Sequence, residues 1–219
     1  MRAVLLLIGI VFLAGCTQSA IENAIRDKYT NINTEVLEGN VFFDVPGSES
    51  QILEFKILIK KPDRYVSASY IDGKLNIVDI CDKTTVYERH ILPDGKEIRE
   101  QRDTNCASTL SDIFVQTPIK LLVALIENGA KAEEAQVEGN PVYRIKGALT
   151  SSDDGSIPVG YVTEDEFIVA KESLELVSWQ RKMMKDGIVT QTATLVFKML
   201  GINVPIDDSE FVISKLDAY

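Results

Sequence analysis

Short runs in which apolar and polar residues alternate make up most of this chain. Around residue 57, for example, Phe55, Ile57 and Ile59 alternate with mostly charged neighbours. A period of two is typical of a β-strand that buries one face, and Asp72-Gly73 is a typical hairpin turn between two such runs. Twelve such runs in series predict an antiparallel sheet of about eleven strands. They cover residues 41–43, 54–60, 64–71, 75–80, 84–91, 96–102, 132–137, 142–147, 159–162, 167–171, 174–184 and 189–200.

Two further segments have the periodicity of helices. Apolar residues recur every three or four positions over residues 20–32, and Ser19 with Glu22 forms a capping box at the start. Residues 118–128 follow the same spacing, with Pro118 suited to a first helical turn and a glycine just after the end. The apolar stripe of this second helix is wider than a helix lying on one sheet edge needs. The stripe includes Ile119, Leu122, Val123 and Ile126.

The N-terminus has the pattern of a lipoprotein signal peptide. Arg2 precedes an uncharged apolar run, residues 3–14, which is shorter than the roughly 20 residues that a membrane-spanning helix needs. Leu13-Ala14-Gly15-Cys16 matches the lipobox, which predicts a lipid on Cys16; an uncleaved anchor helix with a chance cysteine is the alternative. We expect residues 1–15 to be removed as the signal peptide, residues 16–19 to be a lipidated tether, and residues 20–219 to form a single domain.

Lipidation and charge together indicate how the protein attaches to a membrane. Two acyl chains hold a protein at a membrane far more durably than one. The formal net charge of −10, one unit more negative once Arg2 is lost, repels nucleic acid and anionic headgroups. We therefore expect an extracytoplasmic protein, attached by its lipid to the cell membrane, or to an outer membrane if one exists, with no nucleic-acid partner.

Two cysteines remain besides Cys16. An even pair in an oxidising compartment predicts a disulfide between Cys81 and Cys106, and two free buried thiols are the alternative. Such a disulfide would stabilise the fold by about 3 kcal/mol in the chain-entropy model. No histidine or further cysteine accompanies the pair in a zinc-site spacing.

The sequence contains little that indicates catalysis. His90, the only histidine, is interpreted as an ordinary surface residue beside Glu88, and no nucleophile elbow or phosphate-binding loop is present. The acidic clusters at 153–154, 164–166 and 207–208 lack calcium-loop spacing, so we interpret them as solvated turns, with calcium binding as the alternative. We expect no catalytic residues, no cofactor and no bound metal.

Taken in order, four stretches resemble lipoprotein-sorting proteins of the LolA/LolB type and their lipid-carrying relatives. They are Ala24-Ile25-Arg26-Asp27-Lys28-Tyr29 with the following Gly39-Asn40-Val41, Phe55-Lys56-Ile57-Leu58-Ile59-Lys60-Lys61-Pro62-Asp63-Arg64-Tyr65, the run containing Tyr87, and Gly201-Ile202-Asn203-Val204-Pro205-Ile206-Asp207-Asp208-Ser209-Glu210-Phe211. The resemblance implies an α+β, mainly β fold: an open, strongly curved antiparallel sheet of about eleven strands, or half-barrel, with helices plugging its concave side. The family's soluble periplasmic carrier lacks a lipid anchor, whereas its outer-membrane receptor has one.

We therefore expect a carrier or binding protein whose ligand is the acyl chain of a lipid or lipoprotein. The lid over the cavity would be the apolar stripe of residues 118–128. Trp179 could line the cavity or fill the core, and any of the predicted residues could simply fill the core. The predicted cavity residues are Phe43, Phe55, Ile57, Ile59, Tyr65, Tyr87 and Trp179. Two other hypotheses are an envelope sensor or scaffold that binds a protein partner without internal lipid, and a hydrolase that uses His90.

Overall fold

The computed structural model describes residues 20–107, 117–150 and 157–219. The predicted signal peptide, the lipidation site Cys16, the tether, the cap Ser19 and the turn at 153–154 lie outside these residues. Within the described ranges, no helix has the length and apolar character needed to cross a membrane.

The described strands form one open sheet of eleven antiparallel strands. They are β1 (Thr34–Asp44), β2 (Gln51–Lys60), β3 (Arg64–Ile71), β4 (Lys74–Asp82), β5 (Thr85–Ile91), β6 (Glu97–Asp103), β7 (Ala132–Val137), β8 (Asn140–Thr150), β9 (Tyr161–Ala170), β10 (Leu176–Lys185) and β11 (Ile188–Ile202). Two meanders, β1–β6 and β7–β11, meet where β1 pairs with β11, and β6 and β7 are the free edges. The mainly β half-barrel is confirmed.

Among the described residues, two helices cover one face of the sheet. We call this the concave face, and the other the convex face. Helix α1 is residues 20–30, and helix α2 is Pro118–Glu127. The side chain of Thr117 accepts a hydrogen bond from the Lys120 amide and caps α2, and Pro118 occupies its first turn. Both helices therefore lie where their apolar periodicity predicted them.

The main core lies between the concave face and the two helices. Ile25 of α1 and Leu122 and Leu125 of α2 are almost completely buried in it. Gly147 of β8 allows α2 to pack closely, because a Cβ at this position would lie 2.4 Å from the Leu125 side chain. The helix is thus in direct contact with the sheet on the β8 side.

One strand differs clearly from its prediction. Residues 164–166, which we interpreted as a solvated turn between two strands, lie inside the continuous strand β9. Asp165 is only 2% exposed, and its carboxylate pairs with Arg181 of β10. Glu166 points to the other face and pairs with basic residues of β8. The acidic run forms a strand because its cationic partners lie on neighbouring strands.

The chain that follows β11 covers part of the convex face. It contains two short 3-10 turns, Asp208–Phe211 and Ile213–Lys215. Phe211 and Leu216 are buried against apolar side chains of β2, β3 and β4. Arg64 Nη1 lies 2.6 Å from Asp208 Oδ1 and attaches the segment to β3. Strands β2, β3 and β4 are therefore covered by apolar side chains on their convex face.

The predicted disulfide between Cys81 and Cys106 is confirmed. Cys81 lies on β4, and Cys106 lies just after β6, where its amide donates a hydrogen bond to the Lys83 carbonyl at 3.1 Å. Both cysteines are fully buried, and they pack with Ile59 and Tyr65 in a small cluster separate from the main core.

Candidate functional site

An apolar pocket of about 300 Å³ opens on the concave face, between the centre of the sheet and the start of α2. Apart from Thr117, every side chain that lines it is apolar. The pocket is at the small end of the range for ligand-binding cavities. The lining residues are Leu37, Val41, Phe55, Ile57, Thr117, Pro118, Leu195 and Phe197.

The register of β1, β2 and β11 brings these side chains together. Leu37 lies opposite Ile57, and Val41 lies opposite Leu195. Gly39 stands between them at a β-bulge, with Phe55 on one side and Phe197 on the other. A Cβ at Gly39 would lie only 2.2 Å from the Val196 carbonyl oxygen, so this position requires glycine. The Phe55 ring lies over Gly39, 3.1 Å from where a Cβ would stand, and meets the Phe197 ring edge to face with centroids 6.5 Å apart.

The structure brings some of the predicted cavity residues to this pocket. Phe55 and Ile57 line it directly. Trp179 shares the concave face and lies opposite Leu195, and Phe43 lies on the same face near the end of β1, where it is partly exposed. The four predicted lid residues, all on α2, pack into the main core between this helix and the sheet.

Three other predicted cavity residues lie elsewhere. Ile59 and Tyr65 are on the concave face, but they are packed around the disulfide and line none of the described pockets. Tyr87 lies opposite Ile80 on the convex face, beneath the C-terminal segment. Its assignment to the cavity is therefore wrong.

Sequence reasoning missed a second cleft, of about 300 Å³, between α1 and α2. Its walls are largely apolar, but Glu35 of β1 lies in it with only 1% of its surface exposed. Neither Glu35 carboxylate oxygen has a hydrogen-bond partner among the described residues. Burial raises the pKa of Glu35 to about 7, against the opposing effect of Lys61 and Lys120. No local sequence signal marks this carboxylate, because its burial depends on both helices.

Polar side chains of β9 and β10, hydrogen-bonded to one another, border the apolar part of the concave face. Asp165 Oδ1 accepts hydrogen bonds from Trp179 Nε1 at 2.8 Å and from Arg181 Nε at 2.9 Å. Asp165 Oδ2 accepts from Thr163 Oγ1 at 2.7 Å and from Arg181 Nη2 at 3.3 Å. These bonds hold the Trp179 ring in place against Phe167.

His90 lies close to two carboxylates, those of Asp79 and Glu88. Candidate metal-ligand atoms of Asp79, Glu88 and His90 lie within 4.8 Å of one another, and His90 Nε2 is 3.8 Å from Glu88 Oε2. Burial, followed by the charge of Glu88, raises the pKa of Asp79 to about 6. Arg102 already donates a hydrogen bond to Glu88, so a positive charge is present at this cluster without a metal.

Comparisons with known proteins give matches in structure alone. No family model and no curated protein sequence matches the chain. LprF from Mycobacterium bovis is 10% identical with a TM-score of 0.50, over 88% of this chain and 96% of that one. The lipoprotein LppX from Mycobacterium tuberculosis is 12% identical with a TM-score of 0.47, over 86% of this chain and 97% of that one.

A LolA superfamily protein from Nitrosomonas europaea is 9% identical with a TM-score of 0.38, over 90% of this chain and 98% of that one. Identities this low bear on the fold alone. Together with the open eleven-stranded sheet, the similarity to LprF confirms the fold that the sequence resemblance implied, an open, mainly β half-barrel.

Proposed function

We propose that this protein is a membrane-anchored, extracytoplasmic lipoprotein that binds the acyl chain of a lipid or lipoprotein, without catalysis. The observation that carries this proposal is the apolar pocket beside α2, which the side chains of the fold leave unfilled. An alkyl chain could lie along β1 against the Phe55 and Phe197 rings, which meet edge to face at one side of this pocket.

The hydrophobic effect supplies enough free energy for such binding. Each buried methylene contributes about 0.8 kcal/mol, so a sixteen-carbon chain could gain roughly 10 kcal/mol before ordering costs are subtracted. The pocket of about 300 Å³ takes part of a long chain, and the remainder would lie under or beyond α2. A helix packed by side chains on the sheet could move to admit and release it.

The lipid on Cys16 would keep the protein at the membrane from which its ligand comes. In this proposal, residues 16–19 are the tether and residues 20–219 are the single binding domain. The negative net charge gives no attraction to anionic headgroups, so attachment depends on the lipid.

Filling the pocket tests the proposal. Leu195→Trp places a large ring into the pocket, and Val196→Trp places the same ring on the convex face, where Val196 is 40% exposed. We expect L195W to lower acyl-lipid retention about tenfold or more, equivalent to about 1.4 kcal/mol, while V196W behaves like wild type. Native mass spectrometry of the full chain carrying Cys16→Ser measures retained lipid, and thermal melting verifies that each variant is folded.

Equal lipid retention by both variants would contradict the proposal. The alternative, a scaffold that binds a protein partner, is favoured by exposed apolar side chains on the convex face: Ile52, Val196 and Met199. In that case Val196→Asp should remove a partner captured by cross-linking in the envelope, and L195W should have no effect on that capture.

A further inference from the structure

The cleft between α1 and α2 contains a buried carboxylate that acyl-chain binding does not use. Glu35 is at least nine-tenths buried, and none of the described residues donates a hydrogen bond to its oxygens. The nearby Tyr29 hydroxyl is already occupied, because it donates to the Leu174 carbonyl at 2.9 Å and accepts from the Leu176 amide at 2.8 Å. Leaving such a group without a partner is costly, which indicates a site prepared for a hydrogen-bond donor.

The charges around Glu35 define which donor would fit. Lys61, after β2, and Lys120 of α2 both line the cleft and act on Glu35 electrostatically; Glu127 of α2 also lines it. Burial lowers the pKa of Lys61, so a nearby anion would restore its preference for the charged form. The cleft therefore has a buried acceptor beside two cationic groups, which is complementary to a ligand with an ammonium next to an anion.

We propose that this cleft binds the headgroup of a phospholipid with a primary ammonium, which donates hydrogen bonds to Glu35 while the phosphate lies beside Lys61 and Lys120. The inference rests on the proposed function, because the acyl chains of that lipid would occupy the neighbouring pocket. Glu35 and Leu37 share the concave face of β1 two residues apart, about 7 Å along the strand. A headgroup at Glu35 would thus place its chains at the pocket.

Headgroup preference tests the inference. The full chain carrying Cys16→Ser is offered phosphatidylethanolamine, phosphatidylcholine and phosphatidylglycerol with identical acyl chains at pH 8, and bound lipid is counted by native mass spectrometry. Choline keeps the positive charge but has no N–H donor, and glycerol has no cation. We expect phosphatidylethanolamine to be preferred over each of the others by about tenfold, as a charge-assisted hydrogen bond would give.

The variant Glu35→Gln is nearly isosteric and uncharged. It should keep acyl-lipid binding and lose the preference for phosphatidylethanolamine, whereas Glu38→Gln, on the convex face of the same strand, should keep both. Lowering the pH to 5.5 should weaken the preference in wild type, because a protonated Glu35 no longer attracts an ammonium. Lys61, Lys120 and Glu127 are the other charged side chains that line the cleft.

The outcomes separate the two proposals. Binding of all three lipids without preference, or a preference that Glu35→Gln leaves intact, would overturn the headgroup site while the acyl pocket stands. Free phosphoethanolamine binding as tightly as the lipid would also overturn it, since the ligand would then be a soluble amine. Absence of binding to any lipid would count against the proposed function itself.

Discussion

Replacing Arg181 with methionine is expected to lower the free energy of unfolding by about 3–5 kcal/mol. Arg181 donates two hydrogen bonds to Asp165, whose side chain has no exposed surface. Methionine fills similar space but leaves the Asp165 carboxylate buried without its cation. The remaining donors, Trp179 and Thr163, are neutral and cannot compensate a buried charge.

A double-mutant cycle separates this penalty from lost packing. Asp165→Leu in the Arg181→Met background removes the uncompensated carboxylate, so we expect it to recover most of the lost stability. Urea unfolding followed by circular dichroism measures the free energy of unfolding of wild type, Arg181→Met, Asp165→Leu and the double variant. An R181M protein within about 1 kcal/mol of wild type would mean that the pair is not buried as the structure has it.

The second large effect concerns Glu35 and pH. Burial raises the pKa of Glu35 from 4.5 to about 7. Between these values the folded state holds a proton that the unfolded state has released, so stability falls as pH rises. The contribution is fully present below pH 4.5 and is lost by about pH 7, for a total of about 3 kcal/mol.

Glu35→Gln removes this dependence. As the pH rises from 4.5 to 8, the free energy of unfolding of the variant should therefore increase by about 3 kcal/mol relative to that of wild type. Glu38→Gln is the matched control, because Glu38 lies beside the exposed Met199 on the convex face. Denaturant unfolding at several pH values measures the difference, and parallel curves for wild type and Glu35→Gln would show that Glu35 is not desolvated in the folded protein.

The burial of Glu35 links the stability of the fold to headgroup binding. A carboxylate that destabilises the free protein at neutral pH is retained at a cost to the fold. An ammonium ligand would lower the pKa of Glu35 and recover that cost on binding. Strain or desolvation concentrated at one group is typical of a binding site rather than of a structural core.

Local patterns in the sequence predicted most of the fold. The alternating runs gave the positions of the strands, and the stripe with Pro118 at its start gave α2. These features depend on residues a few positions apart, so one sequence is sufficient to find them. The disulfide was also predictable, because only Cys81 and Cys106 remain once Cys16 is set aside.

The site was harder to predict because it depends on pairings between distant strands. Leu195 and Phe197 reach the pocket only because β11 pairs with β1, more than 150 residues earlier in the chain. Tyr87 was assigned to the wrong face because Val86 and Tyr87 are both apolar, so alternation in β5 does not say which one points inward. The C-terminal segment decides it, by covering the convex face.

The burial of two carboxylates could not be predicted from the sequence for the same reason. Asp165 stands in an acidic run that is typical of a turn, and its cation, Arg181, comes from the next strand. Glu35 begins a strand, where a charged residue is usually solvated, and two helices cover it instead. Both cases need the tertiary packing before the local sequence can be interpreted.

Quenching of Trp179 fluorescence by acyl chains brominated at mid-chain tests the central claim most directly. Trp179 is the only tryptophan, its indole is fixed by the hydrogen bond to Asp165, and it lies opposite the pocket residue Leu195. If an acyl chain occupies the pocket, quenching should be saturable at equimolar lipid and absent with the unbrominated lipid. Lipid that binds the protein without quenching Trp179 would contradict an acyl chain on the concave face.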